Sequence, residues 1–160
     1  MKHYPLTTPQ KNIWNLQKYY ADTSIANLCG AIFYQEKRDS ALLQQAIQQF
    51  IRNQSGLRLR FCEDNEPRQY IMEESDIDIP VLSFDSEKNF DYYTEKFVKE
   101  PIGLIDRPMY CFEIFQMDNK SGILVKLSHL VSDAWTMGLL VNQFDKAYFK
   151  LLNNVCSTSH

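Results

Sequence analysis

The stretch that decides the fold is residues 123–135, ILVKLSHLVSDAW. Its first six residues form an apolar run of strand length, and a helical pattern begins after Ser132 or Asp133. His129 therefore lies directly after a strand and before a helix. Such a junction holds a side chain at the edge of a rigid element, where it projects into a cleft.

Two hairpins are predicted. One includes the strand of this junction, and the other lies earlier in the chain. The apolar runs 109–117 and 123–128 flank a turn-rich segment, which predicts a long antiparallel hairpin. Residues 57–61, LRLRF, alternate with the period of a strand, and 68–72 is the expected hairpin partner. Further strands are expected at 28–35 and 77–82.

Four helices are predicted between these strands. Capping residues followed by apolar stripes predict helices that begin at Thr8, at Asp39 or Ser40, at Ser86, and at Ser132 or Asp133. Because hairpins alternate with helices, the pattern favours an α+β fold, a two-layer sandwich whose mixed, mostly antiparallel sheet carries helices on one side. No repeat or linker divides residues 1–152, and the polar segment 153–160 is expected to be a frayed tail.

The composition is that of an ordinary globular protein. The 160 residues are 44% hydrophobic and 23% charged, with a net charge of −3, which argues against disorder and against a nucleic-acid-binding surface. No apolar stretch approaches the roughly 20 residues of a membrane span, and the N-terminus lacks the apolar region of a signal peptide. We therefore expect a cytoplasmic protein that binds neither nucleic acid nor membrane.

The four cysteines do not form a metal or redox motif. They are widely separated and include no CxxC pair, which favours reduced thiols over a zinc site or a disulfide framework: Cys29, Cys62, Cys111 and Cys156. One histidine and one aspartate at the 123–135 junction are also too few to bind a metal.

His129 is the histidine that lies away from both chain ends. An imidazole titrates near neutral pH, so it can accept a proton from an amine or a hydroxyl nucleophile. Asp133, four residues later, is placed to cap the following helix or to hold the junction through an ion pair. A structural histidine followed by a capping aspartate is the alternative interpretation, because HxxxD alone is a weak signal.

Three segments together carry a resemblance to a known family. They are residues 5–16, PLTTPQKNIWNL, residues 57–61, LRLRF, and residues 128–136, SHLVSDAWT. In this order and spacing they resemble the opening motif, the end of the second motif and the His-His-x-x-x-Asp-Gly signature of condensation domains. These domains belong to nonribosomal peptide synthetases, within the chloramphenicol-acetyltransferase-like superfamily. The resemblance covers essentially the whole chain except its tail.

The resemblance implies roles for the residues of the third segment. His129 matches the histidine to which the family assigns chemistry, as general base or as positioner of the attacking amine. Asp133 would be structural. Ser128 replaces the first histidine of the signature and Ala134, before Trp135, replaces its glycine.

The second segment contributes Arg58, for which two interpretations stay open. As a residue of a predicted strand, it could simply face solvent. The resemblance implies instead that Arg58 braces the active site by pairing with a carboxylate, since a buried arginine must be paired.

The family resemblance also implies a function. The chain would be the N-terminal lobe of a two-lobe enzyme that forms an amide between two carrier-bound thioesters, and it would be inactive alone. The expected partners are the C-terminal lobe and the peptidyl and aminoacyl carrier domains, with self-association through the exposed lobe interface. The phosphopantetheine arms belong to the carriers, so no tightly bound cofactor is expected. The alternatives are an acyl-CoA-dependent O- or N-acyltransferase lobe and a non-catalytic recruitment module.

Overall fold

The computed structural model of the chain describes residues 1–73 and 77–158, and the side chains of Ala134 and Trp135 lie outside this description. The described helices are α1 (Thr8–Tyr19), α2 (Ser40–Asn53), α3 (Glu87–Lys99) and α4 (Ala134–Thr158), with a short 3-10 helix at Ser55–Arg58. The strands are β1 (His3–Pro5), β2 (Asn27–Tyr34), β3 (Leu59–Glu63), β4 (Pro67–Ile71), β5 (Val81–Phe84), β6 (Tyr110–Met117) and β7 (Lys120–Ser128).

The strands of the described ranges form two sheets. In the large sheet, β7 is central, pairs antiparallel with β2 and β6, and the order is β2-β7-β6-β5. Strand β5 runs parallel to β6, so the sheet is mixed and mostly antiparallel, as predicted. The predicted second hairpin, β3 with β4, forms a separate small sheet with β1 in the order β1-β4-β3.

Helices α2 and α4 cover one face of the large sheet. Their apolar stripes, which include Ile47 and Phe144, pack on alternate residues of the two central strands, such as Ile114 and Val125. These four side chains are fully buried. Because side chains of a strand alternate between its faces, the intervening residues of β6 and β7 point to the other side of the sheet.

That other face is covered by α3, and the prediction of helices on one side only is therefore wrong. Phe90 and Phe97 of α3 pack with Phe115 of β6 and Leu124 of β7. The centroids of the Phe90 and Phe115 rings lie 4.7 Å apart. Both central strands carry apolar residues on both faces, which is typical of strands buried on both sides.

Local capping chemistry sets the helix starts. Asp39 and Ser86 cap α2 and α3, and each accepts a hydrogen bond from the third residue beyond it, at 3.0 and 3.2 Å. The start of α1 differs by one residue, because Thr7 rather than Thr8 is the cap. Thr7 and Gln10 have the spacing of a capping box, and each side chain bonds the backbone N–H of the other residue.

Two segments differ more from the sequence prediction. The strand expected at 77–82 is formed by Val81–Phe84, which pairs with the end of β6. The tail expected to fray from 153 continues α4 as far as Thr158. In this last turn, the hydroxyl of Ser157 donates a hydrogen bond to the Asn153 carbonyl at 2.9 Å, which satisfies the short polar side chain within the helix.

Candidate active site

His129 is the first residue after β7, in the turn that leads to α4. Its backbone N–H donates a hydrogen bond to the Ala26 carbonyl at 2.9 Å, and the preceding N–H, of Ser128, donates to the Met109 carbonyl at 2.9 Å. The side chain of His129 is half-buried. The strand-to-helix junction predicted from sequence is thus present, and the histidine backbone is tied to the segment before β2.

Ser128, for which the resemblance implies the position of the signature's first histidine, builds the turn. Its hydroxyl accepts a hydrogen bond from the N–H of Leu130 at 3.2 Å, and its carbonyl accepts one from the hydroxyl of Ser132 at 2.7 Å. The N–H of Val131 also donates to the Ser128 carbonyl, at 3.1 Å. A short hydroxyl side chain therefore satisfies the backbone of the tight segment that carries His129.

Asp133 caps α4. The Asp133 carboxylate accepts hydrogen bonds from the backbone N–H of Thr136 at 3.0 Å and from its hydroxyl at 3.1 Å. The N–H of Asp133 donates back to the Thr136 hydroxyl at 3.4 Å. This reciprocal arrangement satisfies free N–H groups at the start of the helix and is the capping role that the spacing allowed.

Arg58 is not where the alternation predicts it. It ends the 3-10 helix instead of lying in a strand, and its side chain is half-buried with an Nε that makes no hydrogen bond. None of the carboxylates in the described ranges pairs with it. Arg60 is the more buried arginine of this segment, at 5% exposure, and its guanidinium donates to the carbonyls of Leu57 at 3.0 Å and Leu59 at 2.9 Å.

A glutamine that sequence reasoning did not assign to the site, Gln10, also reaches the His129 turn, and a second glutamine, Gln69, holds it. Gln10 donates a hydrogen bond to the Leu130 carbonyl and is paired with Gln69 of β4. The signal for Gln10 was its place in the segment 5–16. No local pattern marks Gln69, because its partner lies 59 residues away.

A separate cleft of about 690 Å³ opens beside α3, on the sheet face opposite α2 and α4. Lys126, Glu113 and Cys111 lie in its wall, and the hydroxyl of Tyr93 donates to the Glu113 carboxylate at 2.7 Å.

Burial, followed by the nearby Glu113 charge, raises the pKa of the Cys111 thiol to about 11. Burial is also the largest cause that raises the pKa of Cys29 and of Cys62. These three thiols are therefore poor nucleophiles near neutral pH.

The described part of the chain gives no sign of a metal centre. In the ranges 1–73 and 77–158, no group of three or more His, Cys, Asp or Glu side chains is placed to hold an ion. Over the same ranges, none of the helices has both the length and the apolar character needed to cross a bilayer.

The family model, the related sequences and the solved structures that match this chain agree with one another. The family model for the condensation domain matches residues 1–157. Surfactin synthase subunit 1 of Bacillus subtilis (strain 168) is 34% identical over 157 residues, which covers 92% of this chain and 4% of that protein. Tyrocidine synthase 3 of Brevibacillus parabrevis is 26% identical over 150 residues, which covers 91% of this chain and 2% of that protein.

Solved condensation domains have the same fold. The starter condensation domain of the rhizomide synthetase is 21% identical, with a TM-score of 0.87, and the match covers 96% of this chain and 39% of that one. The first condensation domain of the CDA synthetase is 17% identical, with a TM-score of 0.81 and coverage of 96% and 41%. The chain therefore spans about two-fifths of these solved domains and a few per cent of the synthases, and it belongs to the condensation-domain family.

Proposed function

We propose that this chain is the N-terminal lobe of a nonribosomal peptide synthetase condensation domain, which joins two carrier-bound thioesters through an amide bond. The observation that carries the proposal is the placement of His129. In a chain of this family, the imidazole stands at the end of the central strand, on a turn tied by the backbone bonds to Ala26 and Met109.

The reaction needs a group that handles one proton. The acceptor amine attacks the carbonyl carbon of the donor thioester, the C–N bond forms and the C–S bond breaks. The proton lost by the amine ends on the leaving thiolate, so the products are an amide and a free thiol. His129 either carries that proton as general base or hydrogen-bonds the amine and orients it. Asp133 contributes by capping the helix that follows the turn.

The proposed substrates arrive on phosphopantetheine arms of carrier domains, so the lobe itself needs no tightly bound cofactor. The proposed partners are these carriers and a second lobe that forms the opposite wall of the site. Alone, the lobe lacks one of the two walls that hold the reactants, and misplacement of about 1 Å can cost ~100-fold in rate. We therefore expect no turnover from the chain alone.

Exposed apolar side chains supply a surface on which a second lobe or a second copy of the chain could pack. Four of them lie on α4: Leu139, Val141, Phe149 and Val155. Exposed large apolar side chains are associated with protein contacts where they form a patch. Self-association of the isolated chain remains part of this proposal.

The test uses a hybrid in which this chain is joined to the second lobe of the matching condensation domain of surfactin synthase subunit 1. Amide formation is measured by mass spectrometry with aminoacyl thioesters on donor and acceptor carrier proteins. We expect the hybrid to form product and the chain alone to form none. His129→Ala should lower the rate by roughly 100- to 10,000-fold if the imidazole is a general base, and less, with little pH dependence, if it only orients the amine.

The matched control is His3→Ala, which removes an exposed histidine from β1 and should leave the rate unchanged. Near-normal turnover of the His129→Ala hybrid would remove His129 from the mechanism. Product formed from acyl-CoA but not from a carrier-bound donor would support the acyltransferase alternative. A folded hybrid that binds carriers without forming product would support the recruitment module.

A further inference from the structure

The turn that carries His129 is held on both sides of the histidine. On the N-terminal side, Ser128 is the last residue of β7, where the sheet holds its backbone. On the C-terminal side, Leu130 is buried with Trp14 of α1, Phe61 of β3 and Met109. Since the peptides on either side of a residue set the direction of its Cα–Cβ bond, the position of Leu130 helps to aim the imidazole.

Gln10 ties the Leu130 peptide to a distant part of the fold. Its side-chain Nε2 donates a hydrogen bond to the Leu130 carbonyl at 3.3 Å, across 120 residues of sequence. The bond joins the first turn of α1 to the Leu130–Val131 peptide, one residue beyond the peptide that follows His129, and so fixes the position of Leu130. The N–H of Leu130, in contrast, is bonded to the Ser128 hydroxyl within the turn itself, so the link to Gln10 is of a different kind.

Gln10 is itself held by two further partners. Its Oε1 accepts a hydrogen bond from the backbone N–H of Thr7 at 2.9 Å, which is one half of the capping box of α1. Its amide also pairs with the Gln69 amide through two reciprocal hydrogen bonds, at 2.9 and 3.0 Å. Gln69 in turn donates to the Pro5 carbonyl at 3.0 Å. An amide anchored at several points is a stiff support for the carbonyl that it bonds.

We infer that Gln10 is a positioning residue for His129, which acts by holding the Leu130 carbonyl and so the orientation of the imidazole. The inference rests on the proposed function for its effect on rate, but its structural part stands on the hydrogen bonds alone. Each acceptor role of Gln10 can be kept by a carboxylate, whereas its donor roles toward Leu130 and Gln69 cannot. One substitution therefore separates capping from positioning.

That substitution is Gln10→Glu. A glutamate at the third helical position retains the acceptor for the Thr7 N–H and is a usual member of a capping box, so α1 should stay as stable as before. It loses the N–H that bonds the Leu130 carbonyl and places carboxylate oxygen against carbonyl oxygen. The matched control is Thr7→Ala, which removes the hydroxyl half of the capping box and leaves the Gln10 amide in place.

The first measurement needs no activity. In the purified chain, the imidazole resonances of His129 are identified by comparison with His129→Ala. We expect Gln10→Glu to shift or broaden them and also to lower the thermal midpoint, because the Leu130 carbonyl and the Gln69 amide oxygen each lose a donor. Thr7→Ala should also lower the midpoint, through the lost cap, but without moving these resonances. Unchanged His129 resonances in Gln10→Glu would overturn the inference.

The second measurement uses the hybrid enzyme described above. We expect Gln10→Glu to lower kcat by roughly 10- to 100-fold with KM for both carrier thioesters within about twofold, since orientation and not binding is lost. Thr7→Ala should retain the kcat of the unmodified hybrid. A kcat for Gln10→Glu equal to that of the unmodified hybrid would also overturn the inference. If the resonances move but the unmodified hybrid forms no amide, the proposed function fails while the Gln10 link stands.

Discussion

The two faces of the large sheet are built differently. The face under α2 and α4 is a closed apolar layer, in which Ile47, Ile114 and Phe144 have no exposure. The face under α3 is also apolar near Phe115, but it opens into the cleft of about 690 Å³ whose wall includes buried and half-buried polar groups. The single helix α3 covers only part of its sheet face, whereas α2 and α4 together cover the other face. The polar groups of the cleft wall lie in the part that α3 leaves uncovered.

Each face also buries a cationic side chain, and the two cations have different hydrogen-bond partners. Arg38 is 8% exposed, hydrogen-bonds Glu36 at 2.8 Å and Asp145 at 2.7 Å, and lies 3.5 Å from the centroid of the Tyr34 ring. Lys126 is 3% exposed and donates to the Glu100 carbonyl at 2.6 Å, with its ammonium 4.3 Å from the Phe97 ring centroid. Within the described ranges, no carboxylate oxygen lies within 4.0 Å of Lys126.

Truncation of one aromatic side chain on each face should show the largest difference. Phe144→Ala should lower the free energy of unfolding by about 3–5 kcal/mol, because the ring is enclosed between Phe50 and Phe112 and leaves a cavity. Phe97→Ala should cost less, below about 3 kcal/mol, because Phe97 borders the open cleft and water can enter the space. Urea unfolding of both variants measures the two costs, and equal costs would contradict the distinction between a closed and an open face.

Replacement of each buried cation by methionine should give effects of opposite sign. Arg38→Met should destabilise by about 1.5–3 kcal/mol, since two charge-assisted hydrogen bonds and the stacking on Tyr34 are lost. Lys126→Met should stabilise by about 1 kcal/mol, because an apolar side chain of similar length removes a buried charge that has no carboxylate partner. The measurement is again the free energy of unfolding in urea. A loss of stability in Lys126→Met as large as that in Arg38→Met would show that the cleft solvates or pairs the ammonium.

The sequence predicted those features that depend on local chemistry. Caps are local, so Asp39 and Ser86 were identified from neighbouring residues, and the β6-β7 hairpin followed from two apolar runs around a turn. Amphipathic stripes show that a helix has a buried face, but they do not say which face of a sheet it covers. The apolar residues on both faces of β6 were the available signal for helices on both sides.

The candidate site was predicted in part, for a similar reason. His129 and Asp133 lie in one short segment, so their junction and the capping bond could be inferred from spacing. Arg58 was assigned to a strand because 57–61 alternates, but the 3-10 turn, in which the N–H of Leu57 bonds the Gln54 carbonyl at 3.0 Å, delays the strand. The Gln10 bond to Leu130 joins residues that are distant in sequence, and no periodicity reports such a contact.

The smallest expected effect is a pH dependence that belongs to the α3 face. Burial, followed by Glu113, raises the pKa of Cys111 from 9.0 to about 11 in the folded chain. Between these values the folded state binds more protons than the unfolded state, so the free energy of unfolding falls as the pH rises through this window. Below pH 9 the contribution is fully present, and above pH 11 it is lost.

Cys111→Ala should therefore remove part of the alkaline loss of stability. Its cost relative to the unmodified chain, measured by urea unfolding under reducing conditions at pH 8, 9, 10 and 11, should shrink as the pH rises, because only the unmodified chain loses the contribution of the protonated thiol. The control is Met117→Ala. Met117 packs, as Cys111 does, against the apolar cluster of the α3 face that contains Phe115, but it has no titratable group, so the cost of its truncation should not vary with pH. Titrations of groups common to all three chains, such as Tyr34 with its pKa of about 12, cancel in these differences. A cost of Cys111→Ala that is constant across the series would mean that the thiol is as well solvated as in the unfolded chain, and the α3 face would then be more open to water than its cleft indicates.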